Sequence, residues 1–357
     1  MRIAQIAPLH ESVPPRRYGG TERVVHYLTE ELVARGHDVV LFASGDSTTS
    51  ADLVPCVAQA LRGLEGQVDP MASQVMQLEH LVQQLDEFDI LHFHTGFGHF
   101  SLTSRLLVPQ INTVHGPLIG EETQCLLDHF NHLPLVAISR SQMSAAPTAN
   151  WLGVVYHALP KSLYQDRQEA GDYLAFIGRI SPEKRLDRAI EVANAVGLPL
   201  KVAAKIDCAD RAYYMDLIEP LLRDNPLVEF VGEVDDLGKQ ALLAGARALL
   251  FPIDWAEPFG LVMIEANACG TPVVAWRNGS TPEVIHAGVN GVLVDSIDQA
   301  AEAVRSIDQL DRRTIRADFD ARFSVTRQAE QYERLYLEAI LAHRTSLMGL
   351  REVCHAS

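Results

Sequence analysis

An α/β architecture of two doubly wound parallel-sheet domains is what this sequence predicts, and three observations carry it. From residue 2 onward, short apolar runs alternate with amphipathic helical stretches, the pattern of a parallel sheet covered on both faces. The same rhythm restarts after Leu159 to Gly171, a polar stretch with a proline that reads as a linker. A chain of 357 residues is long enough for about two domains, each able to bury its own core.

The elements follow in order. RIAQIAP, beginning at Arg2, is the first strand. Thr21 to Arg35 reads as a helix: Thr21 is the candidate N-cap, Val24, Val25, Leu28, Leu32 and Val33 mark one face, and Gly36 ends it. HDVVLFA, DILHFH, INTVH and LVAIS supply further strands of the first half. YLAFIGR, LKVAAK, VEFVG, ALLFPI, PVVAW and GVLVD supply those of the second, with helices at Leu186–Val196, Tyr213–Arg223 and Leu237–Ala246 between them. A last amphipathic helix runs from about Thr326 to His343 through Ala329, Tyr332, Leu335, Tyr336, Ala339 and Ile340. The expected division is therefore 1–165, 166–325 and a closing helix at 326–345.

Composition narrows the function classes. The chain is 47% hydrophobic and 21% charged, with no apolar run long enough to cross a bilayer. Gln5 interrupts the first apolar stretch, which reads as a strand and not as a signal peptide. Five cysteines without C-x-x-C spacing argue against a zinc ribbon or a disulfide framework, and for a cytoplasmic location. A formal charge of −16 disfavours nucleic acid, whose phosphates would be repelled. Arg16, Arg17 and Arg23 are candidates for a local basic patch.

The densest chemical signal lies between Arg247 and Ala275. ALLFPI reads as a buried strand, GLVMIEANACG as a helix entered through Gly260, and Glu257 and Glu265 flank the junction. Ligands of open parallel sheets bind at the carboxyl ends of strands, so this acidic pair is aimed at a binding site. Backbone N–H groups from Phe259 through Leu261 to Val262 are the unpaired donors of a helix start, suited to a phosphate. Carboxylates would repel that phosphate and so are better matched to hydroxyls. A ligand with both phosphate and many hydroxyls is a sugar nucleotide.

Other strand ends carry compatible groups. In GRISPEKR, the turn at Ser181–Pro182 can bring Arg179 and Lys184 to one side, a fork and a point charge that together suit a diphosphate. Gly232 in VGEVDD would let backbone approach a flat base, and serves a plain turn equally well. YGGTE at 18–22 follows the first strand, and Gly19 and Gly20 permit close backbone approach to a ligand at a helix N-terminus. It lacks the GxGxxG spacing of a dinucleotide fingerprint. His92 and His94 share one face of a strand, a metal-like spacing with no third ligand, so no metal is expected. His94 reads equally as functional or as core. His115 stands before Gly116 at another strand end.

EPFGLVMIE at 257–265, with ACGTPVVA at 268–275, resembles the E-x7-E motif of the retaining glycosyltransferases of family 4. That resemblance implies the GT-B fold, two Rossmann-like domains facing across a cleft, with a last helix that crosses back to the N-terminal domain. It implies that Glu265 accepts from the ribose hydroxyls and Glu257 from the sugar, and that Arg179 and Lys184 hold the donor's phosphates. By the same resemblance Gly19–Gly20 face the donor phosphate and sugar, Gly232 lies near the base, and His115 contacts the transferred sugar. GSTPE, from Gly279, resembles the family's GG-x-PE stretch, with Asn278 replacing the first glycine.

The function so implied is metal-independent transfer, with retention, of a hexose from a nucleoside diphosphate sugar to a carbohydrate, lipid-linked or small-molecule acceptor. UDP-sugars are favoured over GDP-mannose, and no cofactor is expected. A GT-B sugar-nucleotide epimerase and a non-catalytic sugar-nucleotide-binding protein share the fold; a GT-B phosphorylase would need a pyridoxal phosphate lysine that no motif suggests. The resemblance implies front-face transfer, in which the leaving phosphate helps deprotonate the acceptor; double displacement is the alternative, and none of the matched motifs obviously places a carboxylate nucleophile for it. Peripheral membrane association fits a lipid-linked acceptor.

Overall fold

The computed structural model describes residues 1–16, 19–62, 64 and 69–356, with side chains described as far as Thr345. The chain forms two compact units, Met1–Ala158 with Val325–Ser357, and Leu159–Ser324.

In the first unit the described strands are β1 (Arg2–Ile6), β2 (Asp38–Ser44), β3 (Asp52–Val57), β4 (Ile90–Phe93), β5 (Gln110–Val114), β6 (Leu135–Ala137) and β7 (Trp151–Val154). They form a parallel sheet in the order β3-β2-β1-β4-β5-β6-β7. Because successive side chains alternate across a strand, each strand feeds two cores. Ile3, Val39, Ile90, Ile111 and Val136 pack with Leu28 and Leu32 of the Gly20–Ala34 helix, and with Ala329, Tyr332, Tyr336 and Ile340 of the closing helix, Val325–Ala356. Ala4, Val40, Phe42, Leu91 and Phe93 pack on the other face, with Leu78 and Leu81 of the Pro70–Val82 helix. The edge strands β3 and β7 escape the sequence pattern because each is only partly buried and is interrupted, β3 by Pro55 and β7 by Gly153.

The closing helix is fastened to this unit by charge as well as by packing. Glu333 receives a two-pronged bond from Arg35, Nε and Nη2 each at 2.8 Å, and one from His37 Nε2 at 2.8 Å. These partners pull its carboxyl down to about 2.

The second unit repeats the plan with β8 (Leu174–Arg179), β9 (Leu200–Lys205), β10 (Val228–Gly232), β11 (Ala248–Phe251), β12 (Val273–Trp276) and β13 (Gly291–Val294), ordered β10-β9-β8-β11-β12-β13 and parallel throughout. Leu174, Phe176, Leu200, Val202, Leu250 and Val274 pack with Ile190 and Ala193 of Leu186–Val196 and Ala300 and Val304 of Ile297–Ser306. In both sheets the chain reverses direction of winding beside the first strand, between β1 and β4 and between β8 and β11, the switch point at which such sheets bind ligands.

Three expectations are corrected. The first helix begins at Gly20 with Gly19 as its N-cap, so Thr21 lies inside the first turn and caps nothing. The stretch from Leu159 is no linker: its N–H donates to Phe323 O at 3.0 Å, Tyr164 is buried and Arg167 N–H reaches Cys269 O at 3.1 Å, so the unit boundary falls after Ala158 and not near 165. The segment read as one helix from Tyr213 to Arg223 is a helix with a π-turn at Tyr214–Ile218.

Candidate active site

The acidic pair of the second unit lies where β11 gives way to the Leu261–Ala268 helix. Gly260 caps that helix with φ 80°, so its backbone conformation favours glycine; a β-carbon there would stand 2.8 Å from Met263 Cε, which can shift, and 3.0 Å from Phe251 Cζ. Gly279, φ 55°, presses even closer: a β-carbon would lie 2.4 Å from the backbone N and O of Glu257. Ser280 ties the same stretch down, its N–H on Glu257 O at 3.0 Å and its hydroxyl on Phe259 O at 2.8 Å. The GSTPE segment thus shapes the loop that carries Glu257.

Each glutamate has a lysine. Lys184 Nζ donates to Glu257 Oε2, which also accepts from Trp255 Nε1 at 3.0 Å. The ammonium stands 5.1 Å from the Trp255 ring centroid, and the two charged side chains are 18% and 11% exposed. Lys239 donates to Glu265 Oε1 at 2.7 Å, with the Tyr164 hydroxyl 3.5 Å from the same oxygen, and Glu265 is 3% exposed at its side chain. Burying a charge is costly unless it is paired, and each lysine supplies the counter-charge.

Arg179, the last residue of β8, does not join Lys184. Its Nη2 donates to Glu183 Oε1 at 2.7 Å and its Nη1 to Asp210 Oδ2 at 3.4 Å. The GRISPEKR turn is nevertheless fixed to the β11 loop, since Asp254 N–H donates to Glu183 O at 2.8 Å and Arg185, in a left-handed conformation at φ 53°, bonds Asp254 at 2.7 Å. Phe259 is core, edge-on to Phe323 with centroids 6.1 Å apart, so only its backbone can meet a ligand. Leu261 opens the helix and is partly buried. Gly232 ends β10 at φ 75° with open space around a would-be β-carbon, so its backbone conformation, not crowding, calls for glycine.

Sequence reading missed Lys239, Tyr164, Asp210 and Trp255. One signal for Lys239 was present: a lysine in the first turn of a helix, here Asp236–Ala244, opposes the helix dipole and needs a nearby anion. Tyr164 and Asp210 had none, because their roles come from the packing of distant segments.

In the first unit, Gly19 and Gly20 do not directly follow β1, because residues 7–18 intervene; Val13 among them is held by its N–H on Ser47 Oγ at 2.9 Å and by Thr48 N–H on Val13 O at 2.8 Å. Gly19 takes φ 149°, and a β-carbon there would meet Pro15 Cβ at 2.7 Å. Tyr18 and Arg17 lie outside the described residues. Arg16 is exposed, whereas Arg23 is buried with its guanidinium 3.5 Å from the Tyr27 hydroxyl, so it adds nothing to a surface patch.

His115 follows β5, its Nε2 2.9 Å from His94 Nδ1 and its ring stacked on His157 with centroids 5.2 Å apart. Burial pushes its pKa down to about 3 and holds those of His92, His94 and His157 well below the usual value. His92 and His94 do share a face, with ring centroids 3.9 Å apart. Among the described residues no group of three or more His, Cys, Asp or Glu is arranged to hold a metal ion, and no helix is long and apolar enough to cross a membrane.

Comparison with known proteins accounts for this arrangement. The family described as Glycosyl transferases group 1 matches residues 165–321, and Glycosyltransferase Family 4 matches residues 18–149. Glycogen synthase of Mycobacterium tuberculosis is 26% identical over 387 aligned residues, covering 89% of this chain and 92% of the relative. Among solved structures, AviGT4, a glycosyltransferase involved in avilamycin A biosynthesis, aligns with a TM-score of 0.73 at 24% identity, over 96% of this chain and 98% of that one. Anabaena Alr3699/HepE in complex with UDP and glucose aligns with a TM-score of 0.75 at 18% identity, over 95% and 100%. With both halves matched and both sheets in Rossmann-like order, the chain belongs to the family 4 glycosyltransferases and is an enzyme of the GT-B fold.

Proposed function

We propose that the chain transfers a hexose from a UDP-sugar to an acceptor with retention of anomeric configuration and without a metal ion. The observation that carries this reading is the pair of lysine-bound glutamates around the β11 loop, Glu257 with Lys184 and Glu265 with Lys239. Glu265 accepts from the ribose hydroxyls and Glu257 from the hexose. Arg179, Lys184 and the N–H groups of the helix opened by Gly260 take the charge that builds on the leaving diphosphate. Their carboxylate partners give way to phosphate as the donor binds, so the cations are already desolvated and oriented. One lost donor of this type costs about 10²–10³ in turnover. His115 contacts the transferred hexose as a neutral ring, Gly19–Gly20 the donor phosphate, and Gly232 the base.

The choice of UDP is supported by Alr3699/HepE, solved with UDP and glucose. Retention and metal independence rest on the family resemblance and on the cations that stand in for a metal's charge. We place the enzyme in the cytoplasm, acting on a carbohydrate, lipid-linked or small-molecule acceptor. Thermal shift against UDP-, GDP- and ADP-sugars tests the donor, because a ligand that prefers the folded chain raises its melting temperature. Proton NMR of the product's anomeric signal, taken as it forms, tests retention. Stabilisation by GDP-mannose alone, or an inverted product, would overturn the corresponding part.

A further inference from the structure

Three adjacent strands of the first unit turn polar at their carboxyl ends, on the face that the closing helix covers. Ile3, Ile90 and Ile111 hold that face near the amino ends, and Gln5, His92, His94, Thr113 and His115 follow at steps of two. All but His115 are less than a tenth exposed, so their hydrogen bonds must be made among themselves. They are. Tyr336 of the closing helix bonds His92 Nδ1 at 2.8 Å and accepts from Gln5 Nε2 at 3.0 Å. Gln5 Oε1 lies 2.7 Å from His94 Nε2, and His94 Nδ1 lies 2.9 Å from His115 Nε2.

Such a file has a direction, because a neutral imidazole donates from one nitrogen and accepts at the other. With the Gln5 amide oxygen on His94, the His94 proton sits on Nε2 and its Nδ1 accepts. His115 must then carry its own proton on Nε2. The same rule applied backwards makes Tyr336 the donor to His92 Nδ1, and His92 Nε2–H the donor to Thr113 Oγ1 at 2.7 Å. Among the described residues, the file ends on His115 Nδ1, which is buried without a hydrogen-bond partner. Run the other way, it would end on an unpartnered N–H, which folded interiors tolerate less well than a bare lone pair.

We infer that Gln5, His94 and Tyr336 are positioning residues, a relay from the closing helix that fixes His115 in one ring orientation and one tautomer, Nε2–H. The inference rests on the reading of His115 as the residue that meets the transferred hexose. Its consequence is that His115 takes no proton in the reaction and acts through where its ring and the adjoining exposed Gly116 are held. A protonated His115 would carry an N–H at each nitrogen, and none of the described residues offers Nδ1 an acceptor.

Two replacements of His94 separate positioning from packing. Asparagine places its amide near the former Nδ1 and can still accept from His115; glutamine places its amide near the former Nε2 and keeps only the Gln5 contact. We expect His94→Asn to exceed His94→Gln in kcat by about tenfold, one neutral hydrogen bond's worth, at similar KM for UDP-glucose. A purely structural role predicts equal losses, or the reverse order, since glutamine is nearer histidine in volume. Long-range proton–nitrogen NMR of histidine-labelled protein reads the tautomers without substrate: Nε2–H on His94 and His115 in the wild type, and Nε2–H retained on His115 in His94→Asn only. Should the His94 variants fail to fold, Tyr336→Phe frees the Gln5 amide to turn over, and His115 should then show both tautomers. Nδ1–H on wild-type His115, or an unchanged His115 in Tyr336→Phe, overturns the inference. Because the tautomers are read on the free protein, a wild type that transfers no hexose would sink the functional reading and leave the relay standing.

Discussion

Lys184 and Glu257 stand 73 positions apart in the chain and meet in a charge-assisted hydrogen bond at the β11 loop, with Trp255 closing over both. The pairing sets Lys184 apart from a solvated loop cation. It holds a carboxylate in a nearly closed setting, and its ammonium has further N–H donors with which to meet a phosphate. Turnover and stability are therefore coupled at this residue.

Lys184→Ala should lower kcat by about 10²–10³, as expected for one lost donor to a developing charge. Stability should fall as well, by about 1.5–3 kcal/mol, since Glu257 loses its charged partner. Steady-state kinetics with urea titration of the same variant gives both numbers. Wild-type turnover would return Lys184 to a structural role.

Glu265 and Glu257 should separate by ligand fragment. Glu265→Gln removes a charged acceptor from the ribose that every nucleotide carries, so free UDP should bind more weakly by about 1.5–3 kcal/mol. Lys239→Met should act in the same direction, because it disturbs the same carboxylate. Glu257→Gln should leave UDP nearly untouched while weakening UDP-sugar or slowing transfer. Calorimetric titration of the variants decides it: equal loss of UDP binding in both glutamate variants would contradict the assignment.

Gly279→Ala should injure the site through its backbone. The new methyl group would be driven into the backbone of Glu257, at a position where φ is already 55°. Expected are a loss of several kcal/mol of stability, as overpacking and a left-handed alanine add, and a fall in kcat larger than that of Gly288→Ala. Gly288 has a similar φ of 81° but nothing near its would-be β-carbon, which makes it the matched control.

Excess EDTA should leave transfer intact. In the proposed function, Arg179, Lys184 and the Gly260 helix start would supply the positive charge that a metal brings elsewhere. Loss of activity restored by magnesium or manganese would defeat this part of the reading.

Acid should destabilise the first unit through its buried neutral histidines. His115 and His99 have pKa values pushed by burial to about 3 and about 4. Unfolded, each returns to about 6.5. Between those values the unfolded chain binds more protons, so stability is full above about pH 6.5 and is lost as pH falls through the histidine window. Glu333, held down to about 2, adds a second loss below about 4.5, from the anchor of the closing helix. Urea unfolding at a series of pH values should show the first decline, and His99→Gln should make it shallower. A flat profile from neutrality to about pH 5 would mean that these rings are not buried neutral.

Local chemistry by itself determined much of this protein. Strands β1, β2, β4, β5 and β6 and all six strands of the second unit follow from short apolar runs; most are buried, whereas β10 is largely exposed and is marked only by Val228, Phe230 and Val231. Gly260, Glu257 and Glu265 could be placed at a strand–helix junction because a glycine entry and a change of period mark such a junction in the sequence. What the sequence could not contain is which distant charge meets which. The pairings of Lys184 with Glu257 and of Lys239 with Glu265 depend on how β8, β10 and β11 and their loops are brought together. The same holds for the relay from Tyr336 to His115, which needs three strands in register beneath a helix from the other end of the chain. Periodicity is a property of neighbours along the chain, whereas a hydrogen bond across more than two hundred residues is decided only when the sheet and its covering helix have assembled.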